Sequence, residues 1–436
     1  MQTVTSSSRR GLSRWGTRDF QLLLGGQTLS WVGDAFQPIA LSFAIISAGG
    51  TATDLGLVLA SGVVARLACT LVGGVWADRL RPQTVMVTAD LVRAAAALAL
   101  AAVEVTGHRP LGMLCALVAV FGSAGAFFYP AMSSLKPVLV PPELRQSANA
   151  ALSAAQTGAM TIGPALAGVV VAVMGAPFGF AVNAASFVVS AVTVALVRER
   201  TGRPARSGFV AELRGGWSAV RSHDWLLWGI VAAAVYHVAN GVVLVTVNVL
   251  ALTQLGGPSA LGVISAAEGL GGVVGSLLAL RVRPRRPLVA GFLALGLMPV
   301  WVMAYVWPGT LTGVLVGAVV GFSGLMFFGV CWETAIQNHV PHALLARVSS
   351  WDVLTSFVGM PLGQAVAGLL TDRFGTSRVL TGAALVILVA GVAPLAVRGT
   401  RRLAEHPGAD GGQADGPAPG SARPAAPGGS TPPPAR

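Results

Sequence analysis

The sequence predicts an all-α membrane protein with twelve transmembrane helices in two pseudo-symmetric six-helix bundles. Three observations predict it. Of 436 residues, 54% are hydrophobic and only 11% are charged. A soluble domain averages about 25% charged residues, so this chain has too little charge to cover a water-facing surface, which excludes an ordinary cytosolic enzyme. The apolar residues form continuous runs, and about 20 in a row make a helix that crosses a bilayer. The strands of a membrane barrel would alternate polar and apolar instead. Finally, the two halves of the chain match each other at a fixed offset.

Twelve apolar segments follow in order, at roughly 20–47, 55–77, 84–104, 111–129, 147–173, 177–197, 226–252, 259–281, 286–305, 310–333, 346–370 and 378–397. Segment 1 is too long for a cleaved signal peptide and runs into segment 2 through a short loop at Gly49-Gly50. The parts divide as follows: 1–18, an N-terminal cytoplasmic segment; 19–197, a first six-helix bundle; 198–225, a cytoplasmic linker; 226–398, a second bundle; 399–436, a tail. In the linker, Phe209, Leu213, Trp217 and Val220 recur at helical spacing, as in an amphipathic helix lying on the inner membrane surface. The tail is rich in Gly, Pro, Ala and Ser without apolar period, so disorder is expected there.

The net charge of +12, from 29 Lys+Arg against 17 Asp+Glu, would suggest nucleic acid in a soluble chain. The placement of the charges excludes that partner. With a cytoplasmic N-terminus, Arg9, Arg10, Arg79, Arg81, Lys136, Arg145, Arg198, Arg221, Arg281, Arg286 and others fall inside, and only Arg109, Arg373 and Arg378 fall outside. That asymmetry sets both termini in the cytoplasm. Lys136 is the single lysine in an Ala/Gly-rich chain, the coding habit of a GC-rich bacterium, so a bacterial cell membrane is the expected location. The three cysteines, Cys69, Cys115 and Cys331, lie in apolar runs and are expected to be buried, inert thiols, with no disulfide framework and no metal-ligand spacing.

At an offset of 200, Phe127-Phe128 matches Phe327-Phe328, Val140-Pro141 matches Val340-Pro341, Met160 matches Met360, Ala167-Gly168 matches Ala367-Gly368, and Gly175 matches Gly375. Two parallel six-helix halves are the mark of a secondary transporter, with its substrate site between them near mid-membrane.

Between segments 2 and 3 stands Gly73-Gly74-Val-Trp-Ala-Asp78-Arg79-Leu-Arg81-Pro82. The glycines allow close helix packing. Asp78 can hold a neighbouring helix N-terminus, and Arg79 and Arg81 can pair with acids on adjacent helices, forming an ionic latch at the inner face. Asp90 and Arg93, on one face of segment 3, are expected to support it. The second half repeats Gly275, Arg281 and Arg283 but has Leu280 where the acid would stand, so the latch is one-sided. Segment 5 carries Gly163-Pro164-Ala-Leu-Ala-Gly168, echoed by Pro361-Leu-Gly363-Gln-Ala-Val-Ala-Gly368 in segment 11. Pro removes a backbone hydrogen bond and Gly removes bulk, so such helices bend and pack tightly.

The loop between segments 2 and 3, with the helix count and the half-repeat, resembles the signature of the major facilitator superfamily. The segment 5 motif resembles that superfamily's antiporter motif. Gly33-Asp34, Asp90-Leu-Val-Arg93, Asn183-Ala-Ala-Ser186-Phe187 and Trp332-Glu-Thr-Ala-Ile-Gln337 resemble its drug/macrolide-efflux and enterobactin-exporter-like branch, over about residues 18–398. The resemblance implies the major facilitator fold and proton-driven export of an amphipathic small molecule. Export of a siderophore or other cell-made metabolite, a non-transporting sensor on the same fold, and import are the alternatives. The absence of a Gly-x-x-x-x-Gly-Lys-Ser/Thr loop in the sequence excludes direct ATP drive, and no nucleophile–base pair is visible. No cofactor is implied; the expected partners are the small-molecule substrate, protons and the lipid bilayer, and the expected form is a monomer.

A charge at the bilayer centre costs roughly 2.5–3.5 kcal/mol, so mid-span ionisable residues are functional candidates. Asp34 and Arg66 lie at comparable depth on neighbouring segments and are expected to pair, either for proton coupling or as a fixed ion pair. Glu268 in segment 8 is a candidate proton carrier or anchor for a cationic ligand. Glu333 and Asp352, nearer the inner face, are expected to cap helices or pair with Arg145 or Arg347. His237 is a polar packing residue or a titrating one. Tyr236, Asn240, Asn248, Gln27, Gln37 and Gln156 offer polar contacts, and Trp31, Phe36, Phe127, Phe128 and Tyr129 offer stacking surface.

Overall fold

The computed structural model describes residues 17–77, 81–141, 144–198, 217–218, 220–282, 284–340 and 342–403. Twelve long helical spans run in order: α1 (Arg18–Ser47), α2 (Ala52–Ala77), α3 (Pro82–Thr106), α4 (Leu111–Leu139), α5 (Arg145–Met174), α6 (Ala176–Ala195), α7 (Asp224–Gln254), α8 (Pro258–Arg281), α9 (Pro287–Ala304), α10 (Leu311–His339), α11 (His342–Phe374) and α12 (Thr376–Val392). No strand occurs among the described residues. Eleven of these helices are long and apolar enough to cross a membrane, and α11 has 33 residues. The fold is an all-α membrane bundle. An even number of crossings brings Arg18 and Arg402 to one end, here the terminal end; the opposite end is the far end.

The observed spans match the apolar segments to within a few residues, except where polar residues extend a helix. α4 and α10 each have 29 residues, about 43 Å at 1.5 Å per residue, against about 30 Å of hydrocarbon. Their terminal-end turns carry Ser133, Ser134, Lys136, Gln337 and His339, which hydropathy alone assigns to loops.

Within the first six helices α1 packs on α5 and α6, α2 on α4, and α3 on α4 and α6; within the second six α7 packs on α11 and α12, α8 on α10, and α9 on α10 and α12. The internal repeat is visible in backbone geometry. Gly175 (φ +83°) and Gly375 (φ +80°) each take a left-handed conformation between two helices, where a side chain would be strained. Val140 and Val340 each close a helix in extended conformation.

The halves meet along two crossings, α5 on α8 and α2 on α11. Both are backbone-to-backbone. A Cβ on Gly262 would lie 2.5 Å from the Pro164 carbonyl oxygen and 2.7 Å from the Gly168 Cα. On the other side, the Gly56 and Gly368 positions press on the Gln364 carbonyl and on Thr53. Gly168 and Gly368 each lie six residues, about 9 Å, from the far end of their helix. Asn248 Nδ2 on α7 donates to Ser42 Oγ on α1 at 3.2 Å, also in the far third of both helices. Without a hydrophobic force between helices in lipid, such close approaches of small residues are what draws helices together.

Of the expected amphipathic linker helix, Phe209 and Leu213 lie outside the described residues, as does the tail beyond Leu403. At the linker's end Val220 is fully buried in the core with Trp225. The Trp217 ring lies 4.8 Å from that of Trp351 on α11. This part of the linker therefore packs on the second half.

Gly262→Val forces α5 and α8 apart and is expected to destabilise the protein by about 1–3 kcal/mol, whereas Gly382→Ala, where a Cβ meets nothing within 4 Å, is expected to be neutral. Thermal unfolding of the two variants in detergent checks this.

Candidate functional site: a charged cluster in the first half

Asp34 sits where α1 breaks. The helical turn from Arg18 ends at Asp34, Ala35 forms a turn, and helix resumes at Phe36. Pro38 explains the break: it has no N–H to give to the carbonyl four residues back, which is that of Asp34. The carboxylate is sixteen residues, about 24 Å, from the start of α1, in mid-membrane.

Arg93 Nη1 of α3 lies 3.7 Å from Asp34 Oδ2. The same guanidinium, through Nη2, pairs closely with Asp90 Oδ1. Asp90 Oδ2 accepts from Ser190 Oγ of α6 at 2.6 Å, and Ser190 Oγ in turn accepts from Gln27 Nε2 of α1 at 2.9 Å. Above and below, the Arg93 guanidinium lies 4.6 Å from the Phe128 ring and 4.2 Å from the Phe187 ring, a cation–π sandwich. One cation is thus shared by two carboxylates. They differ in access: the Asp34 side chain is 30% exposed and that of Asp90 is 0%. Arg66 of α2 lies 5.1 Å from the Tyr129 ring centroid.

Two expectations change here. The simple Asp34–Arg66 pair becomes a larger cluster in which Arg93 makes the ion contact to Asp34. Equal depth on neighbouring helices does not fix which way a side chain is turned, and α3 turns Arg93 inward. Asp90 and Arg93 are also not placed to support a latch at the inner face. They lie eight and eleven residues, about 12–17 Å, from Pro82 at the start of α3.

The other stretches that carry the resemblance in α1, α3 and α6 converge on this cluster. Gly33 packs where a Cβ would strike Ser186 Oγ, Asn183 Nδ2 donates to Gln37 Oε1 at 3.0 Å, and Phe187 forms one wall of the sandwich. Gly163 of α5 sits against the break in α1, where a Cβ would lie 2.8 Å from Ala35 Cβ. Gly163 and Gly168 thus face different partners on one helix, the broken turn beside Asp34 and the α8 crossing. Ser190 and Pro38 were not singled out from the sequence. Pro38, four residues after an acid in an apolar run, was the readable signal for the break.

Of the remaining candidates, Asp78 and Arg79 lie outside the described residues, and Gly74 is in the last turn of α2. Arg81 is the N-terminal cap residue of α3, ahead of Pro82. Glu268 lies mid-α8. His237 packs its ring 5.1 Å from that of Tyr236. Trp31 and Phe36 are buried core residues, and Asn248 joins the two halves rather than standing free for a ligand. Glu333 accepts from Gln337 at 3.5 Å, while the side chain of Asp352 lies outside the described set. Cys331 is buried, but Cys69 and Cys115 are only half-buried, so the expectation of three buried thiols holds for one. Glu104, unremarked in the sequence, is buried at the far end of α3 and takes Arg109 Nη2 at 2.9 Å.

The sequence profile described as Major Facilitator Superfamily matches residues 23–363. The multidrug efflux pump Tap of Mycolicibacterium fortuitum is 25% identical over 403 residues, covering 88% of this chain and 96% of the relative. Macrolide efflux protein A of Streptococcus pyogenes is 24% identical, covering 86% of this chain and 95% of the relative. In fold, the chain resembles a bacterial homologue of the iron transporter ferroportin in its inward-facing state (TM-score 0.70, 18% identity, 88% of this chain and 99% of that one). It likewise resembles the nucleoside transporter NupG (TM-score 0.68, 13% identity, 87% and 99%).

Arg93→Leu leaves Asp90 buried without its cation and is expected to cost about 3–5 kcal/mol, whereas removing both charges in Asp90→Leu/Arg93→Leu recovers most of that loss. Thermal unfolding of the single and double variants, purified in the same detergent, measures the difference.

Proposed function

The chain belongs to the major facilitator superfamily, and on that premise we propose that it exports a drug-like or secondary-metabolite small molecule in exchange for protons. Its family makes it a multi-pass membrane transporter and not an enzyme. The direction of transport, the coupling ion and the substrate class are our reading. The observation that carries it is Asp34: a partly exposed acid at a helix break, tied through Arg93 to a sealed second acid, and adjoining the helix that crosses between the halves.

The proposed cycle uses these parts in order. Residues 19–197 and 226–398 are the two moving halves, with both termini in the cytoplasm and the far end outside. Contacts at Gly168–Gly262, Gly368–Thr53 and Asn248–Ser42 lie on the far side, so the described arrangement is closed to the outside. While Asp34 is ionised, it and Asp90 share the positive charge of Arg93. A proton reaching Asp34 removes one partner, and Arg93 settles on Asp90, held there by Ser190 and the two aromatic rings. The turn at Ala35 relaxes, Gly163 shifts against it, and α5 carries the displacement to the α8 crossing. A ligand can shift such an equilibrium only by its differential affinity for the two states, which here is the difference between protonated and ionised Asp34.

The latch residues Asp78, Arg79 and Arg81, with Gly74, are proposed to close the cytoplasmic side in the opposite state. The efflux pumps among the relatives support export over import. The cell membrane of a bacterium, a monomeric state and an amphipathic substrate belong to the same proposal.

Asp34→Asn is expected to abolish uptake of ethidium into everted membrane vesicles driven by a pH gradient, with thermal stability close to wild type. Uptake at the wild-type rate, collapsed by a protonophore as in wild type, would refute Asp34 as the coupling acid.

A further inference from the structure

The terminal end of the first half holds a cavity that the Arg93 cluster does not use. α1, α4 and α5 enclose about 200 Å³ there. Its polar lining is Ser133 and Lys136 of α4 with Arg145 and Asn149 of α5, and buried Phe20 and Leu152 supply apolar lining. The walls are joined by the chain itself. Thr17 Oγ1, at the start of α1, donates to the Leu139 carbonyl oxygen at the end of α4 at 3.0 Å, and five residues separate Leu139 from Arg145.

The charge in this cavity has one sign. Lys136 and Arg145 are cations, and no acid is among the described lining residues; Glu143, between α4 and α5, lies outside the described residues. Lys136 is half-buried, and among the described residues no ion pair or hydrogen bond reaches its ammonium group. The dipole of α4 accounts for a cation in its last turn, but the dipole of α5 disfavours one in its first turn, where Arg145 stands. That first turn also lacks a side-chain cap, so its N–H groups are open to a ligand. The internal repeat shows that the cations are not needed for the fold. At the offset of 200, Ser133, Lys136 and Arg145 correspond to Glu333, Ile336 and Leu345, and α10 and α11 form in the same way. Topology alone draws cations to the cytoplasmic face, but it does not line a cavity with them.

Size and depth narrow the ligand. Drug-sized molecules occupy pockets of about 300–1,000 Å³, so this cavity is too small for one. A phosphate group suits it, with oxygens to accept from an ammonium, a guanidinium, a hydroxyl, an amide and the N–H groups of a helix start. We propose that this cavity binds a phosphate group, held by Lys136 and Arg145 at the uncapped start of α5. Lys136 lies three residues, about 4.5 Å, from the end of α4, a helix about 13 Å longer than the hydrocarbon is thick. That is headgroup depth, where free phosphate and the headgroup of an anionic phospholipid both occur. Once bound, the phosphate bridges α4 to α5, the helix that crosses to α8.

Lys136 is the only lysine in the chain, so its acylation by an amine-reactive ester, mapped by mass spectrometry, reports on this site without any variant. The protein is delipidated in a maltoside detergent. In one arm inorganic phosphate is added, against chloride at equal ionic strength. In the other, phosphatidylglycerol is added, against diacylglycerol, which lacks the phosphate. Modification is expected to slow about tenfold at ten times the dissociation constant, because only empty sites react. Protection in the first arm identifies the soluble anion as a ligand, and protection in the second identifies the lipid headgroup; either supports the site. Arg145→Gln, at the exposed first position of α5, should abolish the protection at an unchanged unfolding temperature, whereas a general effect of a charged surface would persist in it. No protection in either arm, protection matched by chloride, or protection unchanged in Arg145→Gln would each overturn the proposal.

Discussion

A charge in hydrocarbon needs its counter-charge inside the protein, and in the first half Arg93 supplies it twice. It sits between Asp34 and Asp90, is covered on two faces by Phe128 and Phe187, and fixes α1, α3, α4 and α6 against one another. The arrangement is asymmetric in access rather than in charge. Asp90 is sealed and hydrogen-bonded to Ser190, whereas Asp34 is partly open. An ion that binds two acids equally cannot act as a switch. One that binds a closed acid and an open acid can, and in the proposed function only the open one exchanges protons.

In the proposed cycle, a second constraint links the Arg93 cluster to the contacts between the halves. The helix crossings between the halves are made by backbone on backbone, with glycines where any side chain would intrude. Such contacts have no slack: they are either made or broken. The α5 motif places Gly163 against the α1 break and Gly168 against α8, five residues apart on one helix. In the proposed cycle a small change in the turn at Ala35 is delivered to a contact that tolerates little displacement. The matching crossing of α11 on α2, through Gly56 and Gly368, is the expected consequence of the internal repeat.

The fold was largely legible in the sequence because hydrocarbon imposes a length on every helix and the chain's apolar runs obey it. What hydropathy could not show were polar extensions, as at the ends of α4 and α10, and breaks inside an apolar run, as at Ala35 in α1 and between Leu295 and Met298 in α9. The site was half legible. Asp34, Asp90, Arg93 and Gly163 stood out as unusual residue types in their surroundings, but their grouping did not. Depth follows from counting residues, whereas the rotation of a helix about its axis does not follow when every face is apolar. Depth alone therefore matches Arg66 to Asp34, and nearness in sequence to Asp78 draws Asp90 and Arg93 to the latch. Ser190 carries no distinguishing mark in a chain with many small polar residues, and Gln27 stands out only as one of several polar side chains. Only tertiary contact reveals them.

The central claim is that Asp34, and not Asp90, exchanges the proton. Infrared difference spectra of the protein in liposomes, taken across neutral pH, resolve the stretching band of a protonated carboxyl group directly. The account predicts a titrating carboxyl band that is lost in Asp34→Asn and retained in Asp90→Asn. A band that survives in Asp34→Asn and vanishes in Asp90→Asn would contradict it.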